Sequence, residues 1–113
     1  MGLDFNGSNA YWGYIGFHNF RKRLAAALGF DLDQMEGFGG RRPWSEIKHP
    51  LKPFLNHSDC EGSLSAAECK RIGPALLEVV RNWPEEDRDR IQAEMLANDM
   101  IRLAKRGKTL EFC

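Results

Sequence analysis

The sequence predicts a mainly α protein, a compact bundle of about four helices, some kinked by proline, with a small β ribbon joining the two termini. Three observations carry that expectation. Apolar residues recur at helical spacing through residues 11–28, 65–83 and 84–107. Each of these stretches ends on a stop signal, at Gly29, at Trp83-Pro84 and at Gly107. Strand-like alternation is read only near the two ends of the chain.

Gly2-Leu3-Asp4-Phe5 alternates apolar with polar and runs into the turn cluster Asn6-Gly7-Ser8-Asn9, which marks a short strand. A strand needs a partner, and the same pattern returns in Thr109-Leu110-Glu111-Phe112 after Gly107. The first helix is expected over residues 11–28, with Tyr14, Phe17, Arg21, Leu24 and Leu28 on one stripe and Ile15 and Phe20 beside it. Its aromatic density exceeds what core packing alone requires. Tyr11, Trp12 and Tyr14 are therefore candidate anchors for a protein partner. His18 reads as a partly exposed polar residue. Residues 30–40 read as a connecting loop. Asp31, Asp33 and Glu36 lack the glycine offset and closing carboxylate of a cation loop, and Gly37-Phe38-Gly39-Gly40-Arg41-Arg42 lacks a Walker pattern.

Trp44, Ile47, Leu51, Phe54 and Leu55 recur at near-helical spacing, interrupted by Pro50 and Pro53. A short helix over 43–49 and a further turn over 50–55 satisfy both constraints. The helix over 65–83 carries Cys69, Ile72, Leu76, Val79 or Val80, and Trp83 on one face, and Gly73-Pro74 is expected to kink or divide it. Pro84 opens the last helix, with Glu85, Glu86 and Asp87 where the helix dipole favours negative charge. Ile91, Met95, Leu96, Met100 and Leu103 form its apolar face, and Lys105, Arg106 and Gly107 close it. The alternating charges of residues 85–90 read as a solvated face.

One stretch asks for chemistry rather than packing. With Gly62 at a sharp bend, His57, Asp59, Glu61, Ser63, Ser65 and Glu68 take the first, third, fifth, seventh, ninth and twelfth places of a cation loop, and Leu64 the eighth. Alternate residues of a turning backbone bring several oxygens to one point, and a late bidentate Glu completes the shell. The register over residues 57–68 resembles an EF-hand loop. The resemblance implies a divalent cation bound by His57, Asp59, Glu61, Ser63 and Glu68, with the flanking helices held at a fixed angle. Calcium is the first choice, while the nitrogen of His57 in the usual Asp place raises zinc or manganese. The competing reading is metal-free: Ser65 and Glu68 form a capping box, and Asp59 and Gly62 make an ordinary tight turn. An eighth residue usually pairs with a strand, so Leu64 calls for homodimerisation or for contact with a segment outside the loop. The His-Ser-Asp-Cys-acidic-Gly stretch following a Trp- and Tyr-containing first helix is also faintly similar to small uncharacterised proteins of actinobacteria and their phages, which leaves a phage or host-defence setting open.

A chain of 113 residues is one domain over residues 1–113, large enough for a core without disulfides. Sixteen basic residues balance sixteen acidic ones, so bulk charge favours neither nucleic acid nor an anionic membrane. No apolar run spans a bilayer and no signal peptide opens the chain. Three cysteines without a CxxC pair match neither a disulfide framework nor a common zinc pattern, which points to a reducing cytoplasm; Cys60 is expected to point inward. No nucleophile–histidine signature is present, so a non-enzymatic role is favoured. The leading expectation is a small cytoplasmic interaction or regulatory protein with a structural cation site. The alternatives are a metal-free interaction or inhibitor module and, behind it, a metal-dependent hydrolase using His57.

Overall fold

The structure, a computed structural model, describes residues 2–113. It is mixed α and β, 51% helix and 18% strand, and this corrects the expectation of a mainly α bundle with a terminal ribbon. Four antiparallel strands make the sheet: β1 (Gly2–Asn6), β2 (Ser8–Gly13), β3 (Ser63–Leu64) and β4 (Leu110–Phe112), in the order β2-β1-β4-β3.

Strands β1 and β2 form a hairpin in which Phe5 opposes Ser8 across Asn6-Gly7, with Gly7 at φ +112°. Asn-Gly flanked by alternating residues is a strong hairpin signal, because both central positions tolerate positive φ. Residues 8–13 alternate, with Ala10 and Trp12 turned inward and Asn9 and Tyr11 outward. Their aromatic content fits the start of a helix equally well, and strand pairing decides the matter. The helix over 11–28 is thus α1 (Tyr14–Ala27) alone. The pairing of the two chain ends is present as β1 with β4, Phe5 opposite Phe112.

The remaining helices are α2 (Lys52–Leu55), α3 (Ala66–Val80) and α4 (Arg88–Lys105), with 3₁₀ turns at Leu32–Gln34 and Trp44–Glu46. Of the helix expected over 43–49, only the 3₁₀ turn forms. Helix α3 continues through Pro74 rather than dividing there. Gly73 lies where α3 crosses α4, and a Cβ there would stand 2.8 Å from Ile101 Cγ1 and 3.0 Å from the Ala97 carbonyl oxygen, so the missing side chain permits the close approach. The core fills the space between helices and sheet with Leu3, Trp12, Phe17, Phe20, Phe54, Leu76, Leu96 and Leu110 among others. Trp12 stacks on Phe20 at 4.7 Å, and each such side chain contributes roughly 1.5–3 kcal/mol by leaving water.

The N-terminus of α4 is clamped to α1. Asp87 caps the helix, Arg23 donates to both Asp87 and Asp89 at 2.7–3.1 Å, and the Trp12 indole N–H donates to Asp89 at 3.0 Å. The expected solvated face of residues 85–90 is therefore partly an interhelical contact. Both outer strands have backbone groups taken by side chains. On β2 the Tyr11 N–H donates to Gln92 at 2.9 Å and its carbonyl accepts from Arg88 at 2.7 Å; on β3 the Ser63 carbonyl lies 3.0 Å from His57 Nε2. Among the described residues no helix is long and apolar enough to cross a membrane.

Candidate functional site

Helix α1 places Arg21 on its buried stripe between Phe17 and Leu24, where it is 3% exposed. Its Nη1 donates to the carbonyls of His57, Leu55 and Phe54 at 2.6, 3.1 and 3.4 Å. Helix α2 ends there with carbonyls that have no partner within the helix, and the guanidinium takes that role. The charge also lies over two rings, 4.5 Å from the centroid of Phe17 and 5.3 Å from that of Phe38. Among the described residues it forms no ion pair, and its Nε has no hydrogen-bond partner. Burial lowers its pKa to about 10 against the opposing field of Asp59, so it remains a cation at neutral pH.

The chain segment that Arg21 holds leads into the 57–68 loop. The His57 ring stacks on Phe112 at 4.0 Å, with Nδ1 2.8 Å from the Ser58 carbonyl and Nε2 3.0 Å from the Ser63 carbonyl. A neutral imidazole has one N–H and can donate to only one of these oxygens; both contacts become hydrogen bonds in the imidazolium. Gly62 turns the chain at φ +89°, close over the His57 ring, and its carbonyl accepts from Phe112 N–H at 2.8 Å. Ser63 then pairs with Glu111 and Leu64 with Leu110, so Leu64, 1% exposed, finds its strand partner outside the loop but within the chain.

Of the five candidate ligands, His57 and Asp59 share one cleft, whereas Ser63 lies on β3 and Glu68 on the first turn of α3. Both bonds of the capping box form, Glu68 N–H to Ser65 Oγ at 3.1 Å and Ser65 N–H to Glu68 Oε1 at 2.9 Å. Glu61 is exposed. Among the described residues no three His, Cys, Asp or Glu side chains are grouped to hold a metal ion. Cys60 is exposed, not inward as expected, and Cys69 is the buried thiol, its pKa raised by that burial. Of the three aromatic anchors, Trp12 is fully buried, Tyr14 half-buried and Tyr11 40% exposed.

The cleft measures about 440 Å³, and Arg21, Glu36, Phe38, Trp44, His57 and Asp59 are among the residues that wall it. It therefore offers a buried cation, two aromatic residues and carboxylates, in a setting suited to gripping a polar group. Both ring nitrogens of His57 face carbonyls rather than a hydroxyl or thiol, so they do not activate a nucleophile in this arrangement. Arg21, Phe38 and Trp44 escaped the sequence reading as site residues. The available signal was Arg21 itself, a charge in the middle of an apolar stripe. Comparison of the chain with protein-family models, with curated proteins and with solved structures gives no match.

Proposed function

We propose that this chain is a small interaction module, acting without a metal in a reducing, cytoplasmic setting, whose cleft beside Arg21 receives a polar group from a protein partner. The observation that carries this reading is the buried guanidinium, which hydrogen-bonds only to carbonyls, lies over aromatic rings, and lines an open cleft that it shares with Asp59 without pairing to it. Two irregular segments, residues 36–38 and 56–59, wall the cleft, and loops held by a rigid frame are where recognition residues concentrate. Exposed thiols at Cys60 and Cys113 are in keeping with a reducing compartment.

The test is a photo-crosslinking phenylalanine analogue in place of Phe38, irradiated in the native cells. A discrete protein adduct that vanishes with Asp59→Lys, and that the same analogue at exposed Asn98 does not give, is the expected result. Identical adducts from both positions, or none from position 38, overturn the proposal.

A divalent cation in the 57–68 loop is the second reading, calcium first and zinc or manganese after it. Gly62 at positive φ and the strand pairing of Leu64 favour it, since a cation loop uses both. It requires Glu68 to leave its cap and His57 to leave its carbonyls. Metal-stripped protein whose melting temperature rises with one of these ions, and not with magnesium, would establish it in place of the metal-free reading.

A further inference from the structure

A second cleft, of about 560 Å³, lies between the turn leading into α2 and the exposed side of α3. Its lining differs in kind from that of the Arg21 cleft. Lys48, Lys52 and Arg71 supply three cations, none of which forms an ion pair among the described residues. His49 accepts the Leu51 N–H on Nδ1 at 3.1 Å, and burial lowers its pKa, so the neutral ring carries its proton on Nε2 as a further donor. No carboxylate lines this cleft, and Ile47, Pro50 and Pro53 make its apolar part.

The chain as a whole is electrically neutral, and several other basic residues are committed: Lys22 to Asp33, Arg23 to Asp87 and Asp89, Arg42 to Glu46, Arg102 to Asp99. The cleft lined by Lys70, Pro74, Ile101, Ala104 and Lys105 shares the pattern of unpaired cations around an apolar floor, but it holds two cations and no histidine donor, against three and one here. Flexible lysines and an arginine on an open cleft do not cage a single small ion, which backbone amides would do better. No Phe, Tyr or Trp lines the cleft as a platform on which successive bases would stack, which disfavours single-stranded nucleic acid. Proline and isoleucine between cations instead match an extended polypeptide that alternates acidic with apolar side chains.

We propose that the cleft lined by Lys48, His49, Lys52 and Arg71 docks an acidic, partly apolar segment of a protein partner. The proposal rests on the interaction-module reading and assigns the partner's chemistry at a surface separate from the Arg21 cleft.

The full chain, labelled with ¹⁵N, is titrated at low and high salt with a peptide alternating glutamate with leucine and proline, with its glutamine counterpart, and with a single-stranded oligonucleotide of equal charge. The expected result is movement of the amide signals of Ile47, Lys48, His49, Leu51, Lys52 and Arg71 with the acidic peptide alone, weakening as salt rises. Combined Lys48→Ala, Lys52→Ala and Arg71→Ala should weaken binding about tenfold while the spectrum stays dispersed. Lys48→Glu offers a single-site check should the triple variant not fold. Absence of shifts with the acidic peptide, equal binding of the glutamine peptide, tighter binding of the oligonucleotide at the same signals, or indifference to the variants overturns the proposal. Failure here with the position-38 crosslink intact rejects this cleft alone, whereas a missing crosslink with peptide binding intact rejects the Arg21 cleft.

Discussion

Arg21 and Arg23 stand two residues apart on α1, about 200° around the helix from one another, and their surroundings are opposite in nearly every respect. Arg23 is partly exposed, meets two carboxylates, and lies 3.9 Å from the centroid of the Trp83 ring; its pKa is raised, first by the hydrogen bond to Asp87. Arg21 is enclosed, meets no carboxylate, and has its pKa lowered by burial. The first is a neutralised clamp between two helices. The second keeps a net charge inside the protein, held by carbonyl dipoles and ring faces. The difference teaches that residue type and helix position alone do not separate a structural arginine from a candidate recognition residue; the lack of a carboxylate in contact with it does.

The comparison breaks first at Arg21. Arg21→Met should cost about 3 kcal/mol in chemical denaturation, because three carbonyls at the end of α2 lose their donor. A cost below about 1 kcal/mol would mean that the buried cation is dispensable. The loop that Arg21 anchors supplies the next test. Ser65→Ala should cost about 1 kcal/mol, equally in calcium and in chelator, if the capping box is its role; a cost confined to calcium would favour the cation loop.

The Arg23 clamp should respond less, since solvent screens it. Asp87→Asn keeps an N-cap acceptor but removes the charge, and should cost about 0.5 kcal/mol at neutral pH. The hydrogen bond from Arg23 holds the Asp87 carboxyl below its ordinary value of 3.8. Its contribution is therefore full above that value and is lost as pH falls through the folded pKa, so wild type and variant should converge in stability under acid. A gap that persists at low pH would show that the contact does not depend on the aspartate charge. The smallest effect concerns the thiols: Cys60 and Cys113 should react with maleimide at once and Cys69 only on unfolding.

Much of the fold was legible where a local signal matched the final environment. Gly107 and the alternation of residues 109–112 announced the return strand, and Ser65 with Glu68 announced the start of α3. The second strand was obscured because Tyr11 and Trp12 suit a helix as well as a strand, and only the pairing of Trp12 with Leu3 and of Gly13 with Gly2 separates the two. The Asn6-Gly7 pair carries that information, since it joins two strands as well as marking a turn. The candidate site was partly legible. His57 and Asp59 stood out by spacing, yet their neighbour Phe38 comes from a remote loop with no periodic pattern, and Trp44 belongs to an apolar series that signals core packing rather than a site. Arg21 was visible as an oddity, but no local rule told what it would meet 33–36 residues further on.

The side chains that occupy the outer strands bear on association. An uncovered strand invites a copy of itself, and sheets that grow by such addition end as fibres. Arg88 and Gln92 engage Tyr11 on one border, and His57 faces Ser63 on the other. Extension of the sheet at those points would require breaking these contacts. Loops and helix faces, where both clefts lie, are the less obstructed surfaces, so the contacts proposed above need no opening of the β-sheet.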